Sequence, residues 1–195
     1  RHCYMGEKNY KECSYSNIAL ILEDVLGFAE KYNYECEFYI TGGDPILHAE
    51  WEHILALFRE NNCSFSIMCN PNSITEYSTQ MLKKYGVKSV QFSIDGMQSN
   101  HNWMRGDGNF ELIAQAVNQL KGADINTALM FTLFDFNKDD LLLAMNYASE
   151  IKVDRFSFDV GIDIGNAQTN GLFMIDEDVL EDILNAYIDE KERIK

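Results

Sequence analysis

The residues of this chain that are best suited to chemistry fall in three short groups, each beside a strand-like segment. The groups are Cys3-Tyr4, Thr41-Gly42-Gly43-Asp44-Pro45 and Ser93-Ile94-Asp95-Gly96. A cysteine thiolate ligates metals, and two consecutive glycines let backbone amides and carbonyls approach a ligand closely. Taken singly, each group also has a structural interpretation, as an ordinary thiol, a tight turn or the end of a strand. Their placement in the fold therefore decides which interpretation holds.

The segments between these groups alternate between strand and helix patterns. Strands are predicted at 37–40, 64–68, 89–94, 126–134 and 155–160. Helices are predicted at 16–31, 49–60, 75–85, 109–121 and 138–150, with a last one from 176. Such alternation with short connections is typical of a parallel sheet wrapped by helices. The leading helix implies a further strand before it.

Two α/β architectures fit this pattern, a doubly wound sheet and a barrel. No Gly-x-Gly-x-x-Gly follows a strand, which disfavours a dinucleotide-binding fold. A complete (β/α)8 barrel typically needs about 250 residues. The sequence therefore predicts one domain over 1–195, a partial (β/α)6 barrel of the TIM type whose first strand is not in this chain. In such barrels the loops after the strands meet at one rim, where all three groups would lie.

In this order the groups resemble the signature of the radical S-adenosylmethionine (radical SAM) superfamily, in particular the branch of anaerobic sulfatase-maturating enzymes and peptide maturases. That family opens with Cys-x3-Cys-x2-Cys and an aromatic residue, and Arg1-His2-Cys3-Tyr4 matches its end. Gly42-Gly43-Asp44-Pro45 is similar to the family's Gly-Gly-Glu-Pro. Ser93 to Gly96, followed by His101 and Arg105-Gly106, is similar to its Ser-x-Asp-Gly, His and Arg-Gly. The first two cysteines are then expected before Arg1.

The resemblance implies a [4Fe–4S] cluster held by three thiolates, with S-adenosylmethionine on its open iron. Electron transfer from an external reductant would cleave S-adenosylmethionine to a 5′-deoxyadenosyl radical, which abstracts hydrogen from the substrate. By position, Cys3 would be a cluster ligand and the Tyr4 backbone would contact the adenine.

The resemblance also implies how the methionyl group of S-adenosylmethionine is held. Gly42 and Gly43, aided by Asp44, would receive its ammonium. Ser93 and Arg105 would hold its carboxylate, a role that suits the forked donors of arginine. The remaining candidates, for contacts with the methionyl or ribose groups, are Asn70 and Thr132.

Several other residues are expected to have structural roles. His101 is expected to order the loop that carries Arg105, and Asp95 to cap its own turn. Cys36 and Cys63 abut strands and are expected to be buried thiols. An odd total of five cysteines without a secretion signal indicates a reducing cytoplasm.

The composition excludes two classes of partner. The net charge of −15 argues against a nucleic-acid ligand, because phosphate binding needs clustered Lys and Arg. No apolar run reaches the roughly 18 residues of a membrane span. By resemblance, the substrate is a peptide or protein that is crosslinked through a thioether or another bond, epimerised or oxidised.

Relatives in this branch usually continue into a cysteine-rich region that binds auxiliary clusters, and residues 1–195 hold no such region. One motif cysteine cannot hold the cluster in the manner of the family, and a barrel without its first strand exposes an unpaired edge. These residues alone are therefore expected to be inactive. Two alternatives stay open at this point. One is a degenerate core that binds a peptide without catalysis. The other is a clusterless barrel enzyme that binds a phosphorylated metabolite at Gly42-Gly43, since helix N-termini favour anions.

Overall fold

A computed structural model describes residues 12–194, so Cys3 and Tyr4 lie outside the described residues. Within that range, five parallel strands form one sheet in sequential order. The strands are β1 (Glu37–Ile40), β2 (Ser64–Met68), β3 (Ser89–Ile94), β4 (Asn126–Leu133) and β5 (Arg155–Val160). A doubly wound sheet would reverse its strand order at a switch point. The unbroken order is that of a partial TIM-type barrel, as predicted.

Helices follow the strands and cover one face of the sheet. They are α1 (Tyr15–Tyr32), α2 (Trp51–Glu60), α3 (Glu76–Tyr85), α4 (Gln98–Arg105), α5 (Asn109–Gly122), α6 (Leu141–Glu150), α7 (Asn166–Thr169) and α8 (Glu177–Ile194). The sequence patterns did not predict α4 and α7. Residues 135–140 form a 3₁₀ turn. The sequence patterns predicted a loop at 135–137 and the start of a helix at 138–140. Among residues 12–194, no helix combines the length and apolar composition that a membrane span requires.

Alternating side chains give β3 and β4 two different faces. On one face lie six fully buried apolar residues, Val90, Phe92, Ile94, Leu129, Phe131 and Leu133, which belong to the main hydrophobic core. That core also contains Leu82, Ile113, Leu120 and Leu141 from the surrounding helices. The opposite face carries Gln91, Ser93 and Thr132, which line a cleft. Because the hydrophobic effect buries the apolar face in the core, the polar face of the sheet lines the inside of the half-barrel.

Local capping explains where the helices begin and end. The hydroxyl of Ser14 accepts from the backbone N–H of Asn17 at the start of α1. Helix α3 ends at Gly86, which adopts the left-handed conformation, as predicted for a glycine at this position. Asn109 was expected to cap α5, but Gly108 occupies the cap position. The Asn109 amide instead donates to the carbonyls of Arg105 and Gly106, which closes the turn between α4 and α5.

Gly96, directly after β3, is expected to resist substitution. It has a φ of 140°, and a Cβ there would lie 2.6 Å from Asn100 Cβ and 2.7 Å from Asp140 Oδ2. Gly96→Ala should lower the free energy of unfolding by about 2 kcal/mol or more, through backbone strain and displaced contacts. Urea unfolding followed by circular dichroism measures this change.

The matched control is Gly27→Ala, within α1, where a Cβ would meet no atom within 4 Å. That change should raise the free energy of unfolding by about 0.5–1 kcal/mol, because alanine is the better helix former. Equal effects of the two substitutions would contradict the close packing described at Gly96.

Candidate functional site

A cleft of about 700 Å³ opens at the carboxyl ends of the five strands. Each strand or the loop after it contributes to its wall. Of the seven candidate residues within the described range, six line this cleft: Gly42, Gly43, Asn70, Ser93, Arg105 and Thr132. Residues that are as much as 90 positions apart in the chain (Gly42 and Thr132) therefore share one site, as expected for a barrel rim.

The turn after β1 presents bare backbone to the cleft. Gly42 and Gly43 are both exposed, and a Cβ at either would meet no atom within 4 Å. Gly42 has a φ of 151°, a conformation that side chains rarely adopt. The peptide groups of this turn are thus available as hydrogen-bonding groups for a ligand.

Asp44 fixes that turn to the next loop of the rim. Its Oδ1 accepts from the backbone N–H of Ile46 at 3.1 Å. Its Oδ2 accepts from the backbone and side-chain amides of Asn70, at 3.0 and 3.1 Å, and from the Ser73 hydroxyl at 2.6 Å. The carboxylate therefore faces these loop groups, and Asp44 is not among the residues that line the cleft.

A buried ion pair holds Arg105 at the cleft wall. The side chain of Asp95 has no exposed surface, and its Oδ2 accepts from Nε of Arg105. The sequence predicted that Asp95 caps its own turn, and the structure adds an ion pair with Arg105 that the sequence did not predict. A buried carboxylate needs a compensating charge, and the guanidinium of Arg105 at the end of α4 supplies one. The pair fixes where the guanidinium of Arg105 lies.

His101 and Asn137 fix the backbone of Asp95. His101 Nδ1 accepts from the Asp95 backbone N–H at 3.2 Å, which agrees with the loop-ordering role expected of His101. The Asn137 amide donates to the carbonyls of Asp95 and Thr132, both at 2.9 Å, and its oxygen accepts from the Phe134 N–H at 2.8 Å. Asn137 thus clamps the ends of β3 and β4 beside the cleft. Nothing in the local sequence marks it, because its partners lie up to 42 positions away.

Burial controls the protonation of two groups near the cleft. It lowers the pKa of His101 to about 4, against a smaller opposing effect of Asp95. No hydrogen-bond partner of His101 Nε2 is present among the described residues, as suits a neutral ring. Burial, together with the nearby Asp44 charge, raises the pKa of the Cys69 thiol. The Cys69 thiol, which lines the cleft, is therefore favoured in its protonated form.

The far wall of the cleft was not predicted from the sequence. It consists of Val160 at the end of β5 and of Gly161, Ile162 and Ile164 in the loop that follows, and it is mostly apolar. Gly161 packs against the Phe134 ring so closely that a Cβ there would overlap it. Its N–H donates to the Leu133 carbonyl at 2.7 Å. The Gly-Ile-Asp-Ile-Gly sequence of this loop was the available signal.

Among residues 12–194, no group of three or more His, Cys, Asp or Glu side chains could hold a metal ion. The ligands of a metal cluster would therefore have to include residues outside the described range, such as Cys3. The described site instead offers backbone amides and carbonyls, hydroxyls, one guanidinium, the carboxylate of Asp159 and an apolar wall. This donor set fits an organic ligand with a polar head group and a flat apolar ring.

Comparison with known proteins identifies related sequences and folds. The family model described as "Radical SAM superfamily" matches residues 1–148. An Fe-coproporphyrin III synthase of Methanosarcina barkeri (strain Fusaro / DSM 804) is 24% identical over 161 residues, 80% of this chain and 39% of that protein. The sporulation killing factor maturation protein SkfB of Bacillus subtilis (strain 168) is 24% identical over 143 residues, 73% of this chain and 35% of that protein.

Among solved structures, Streptococcus suis SuiB bound to S-adenosylmethionine superposes with a TM-score of 0.72 at 15% identity, over 98% of this chain and 44% of SuiB. SuiB bound to its precursor peptide SuiA gives a TM-score of 0.73. At this identity the likeness concerns the fold. The chain spans less than half the length of each of these relatives.

The lowered pKa of His101 predicts a loss of stability in mild acid. The unfolded chain binds the proton near pH 6.5 and the folded protein only near pH 4. The contribution of neutral His101 is therefore complete above about pH 6.5 and decreases as the pH falls, by at most about 1.4 kcal/mol per pH unit. Urea unfolding of wild type and His101→Asn, between about pH 7 and pH 5, measures it.

Asparagine keeps an acceptor for the Asp95 N–H but does not titrate, so His101→Asn should flatten the decline of stability relative to wild type. His53→Asn, at an exposed position of α2, is the control and should leave the decline unchanged. Parallel pH profiles for wild type and His101→Asn would contradict the buried neutral state of His101.

Proposed function

The chain belongs to the radical SAM superfamily, and on this premise we propose that it is the core of an enzyme that cleaves S-adenosylmethionine reductively in order to modify a peptide or protein. The family uses a [4Fe–4S] cluster and S-adenosylmethionine. The proposal rests on one observation above all. Six residues with predicted roles in binding S-adenosylmethionine, from separate parts of the chain, line a single cleft.

The proposal gives each part of the cleft a task. The backbone groups of Gly42 and Gly43 receive the methionyl ammonium, while Asp44 holds their turn against the next loop. Ser93 and Arg105 hold the methionyl carboxylate, with Arg105 oriented by Asp95. When bound, the cluster and S-adenosylmethionine supply a 5′-deoxyadenosyl radical that abstracts hydrogen from the substrate. The protein contributes placement and a shielded cavity.

The remaining surfaces of the cleft fit the rest of the same ligand. Ile162 and Ile164 form an apolar wall against which an adenine ring would bury its face. Thr132, opposite Asp159 in the register of β4 and β5, offers a hydroxyl for the ribose. Cys3 is the proposed cluster ligand and lies outside the described residues.

The charge of the cleft favours a peptide over a tetrapyrrole as the substrate. The Methanosarcina relative is named for a coproporphyrin, which bears several carboxylates, and the Bacillus relative for maturation of a killing factor. Among the described residues, the charged side chains that line the cleft are Arg105 and Asp159, and Asp95 already balances Arg105. A multiply anionic substrate would find no surplus of positive charge among these described residues.

Loss of Cys3 should abolish the reaction. Protein produced from the complete reading frame and reconstituted anaerobically with iron and sulfide should form 5′-deoxyadenosine from S-adenosylmethionine and a strong reductant. Cys3→Ala should lose both this product and the electron paramagnetic resonance signal of the reduced cluster, because three thiolates are needed. Cys13→Ala is the control and should retain both, since Cys13 lies at an exposed position outside the cluster spacing.

The other outcomes discriminate between the alternatives. A full cluster load without 5′-deoxyadenosine would favour the non-catalytic peptide-binding core. Failure of the wild-type protein to bind any cluster would favour the clusterless barrel.

The geometry of Arg105 should matter for affinity. Arg105→Lys keeps the charge but loses the forked donors, so the Kd for S-adenosylmethionine should rise about tenfold or more. Equilibrium dialysis with labelled S-adenosylmethionine on the cluster-loaded protein measures this change. Arg59→Lys, at an exposed position of α2, should leave the Kd unchanged. Unchanged affinity in Arg105→Lys would remove Arg105 from the proposed site.

A further inference from the structure

Two cysteines lie side by side at the amino ends of β1 and β2. Cys36 directly precedes Glu37, and Cys63 directly precedes Ser64. Glu37 and Ser64 are register partners in the parallel ladder, so the two cysteines occupy the next pair of positions. Neighbouring strands run about 4.8 Å apart, which lies within the Cα separations of about 4.4–6.8 Å that disulfides span.

Both cysteine residues are partly exposed to solvent. Cys36 and Cys63 are free and half-buried, which corrects the expectation that both are buried. Cys63 Sγ makes only a weak contact of 3.7 Å to the Asn61 carbonyl, which does not hold the thiol in place. The pKa of Cys63 is raised by burial and, to a smaller extent, by Cys36, so the two sulfurs are close enough to interact electrostatically.

We propose that Cys36 and Cys63 are a redox modification site that forms a reversible disulfide between β1 and β2. The oxidant is a low-molecular-weight disulfide such as oxidised glutathione. One cysteine thiolate attacks it, forms a mixed disulfide and releases one glutathione thiolate. The second cysteine then displaces the other glutathione. Two protein thiols are oxidised, one glutathione disulfide is reduced to two thiols, and the two protons pass to the released thiolates.

The position of the pair gives the bond a consequence for the cleft. The disulfide would close a loop over residues 36–63, which contains β1, the Gly42-Gly43 turn and α2. Among the described residues, β1 pairs only with β2, so its register depends on a single neighbour. The cysteines lie at the opposite ends of these strands from the cleft. The bond would therefore hold β1 in register without displacing Gly42 or Gly43.

Peptide mapping tests the proposal directly. The protein from the complete reading frame is equilibrated anaerobically in glutathione buffers of increasing oxidised fraction, alkylated and digested for mass spectrometry. The expected result is a peptide pair linked through Cys36 and Cys63 that dithiothreitol separates. Glutathione adducts on Cys36 and Cys63 without a linked pair, or unmodified thiols in the most oxidising buffer, would overturn it.

Variants and thermal unfolding give a second readout. Cys36→Ser and Cys63→Ser should each abolish the linked pair, while Cys13→Ser should retain it. Oxidised wild type should melt several degrees above the reduced protein, by roughly 5 °C or more, since the bond restricts the unfolded chain. Cys36→Ser should show no such difference. An equal rise of the Tm in Cys36→Ser would assign the effect to another cysteine and contradict the proposal.

Discussion

The buried carboxylate of Asp95 has to be compensated where it lies, because an ionised group without contact to water is costly unless charge or donors face it. Arg105 supplies that charge from the end of α4. Much of the neighbouring structure follows from this requirement. Gly96 lets the chain turn directly after Asp95, and His101 Nδ1 accepts a hydrogen bond from the backbone N–H of Asp95. The same interaction that satisfies the carboxylate thus places a guanidinium in the wall of the cleft.

Side-chain bonds between consecutive loops hold the rest of the rim. Parallel strands are not joined by hairpins, so the loops after them have no ladder of their own. Asp44 joins the loop after β1 to the loop after β2. Asn137 joins the end of β3 to the end of β4, and Asp140 accepts from the Met97 N–H at 2.8 Å. These bonds preorganise the cleft before any ligand arrives, which lowers the cost of ordering it on binding.

The sequence was sufficient to predict the strands and the partial barrel, because hydrophobic alternation and turn residues are local signals. Six residues that line the cleft were named from the motif resemblance, whereas the apolar wall at the end of β5 was not predicted. The sequence was not sufficient for α4, whose polar sequence buries only His101 and Met104. Nor did it predict the roles of Asp95 and Asn137, which depend on partners brought close by the fold. Cys36 and Cys63 were expected to be buried like core thiols. They lie beside strand ends as predicted, but they are only partly buried there.

The charge balance at Arg105 also bears on which ligand the cleft accepts. Within the part of the chain that the structure describes, Asp95 neutralises Arg105, so a ligand carboxylate there would place two negative charges against one positive charge. A methionyl group brings its own ammonium, which restores neutrality when it lies at the Gly42-Gly43 carbonyls. A phosphate would bring further negative charge without a cation, and Asp159 adds to the excess. The electrostatics of the described cleft therefore favour a zwitterionic amino-acid group over the phosphorylated metabolite of the clusterless alternative.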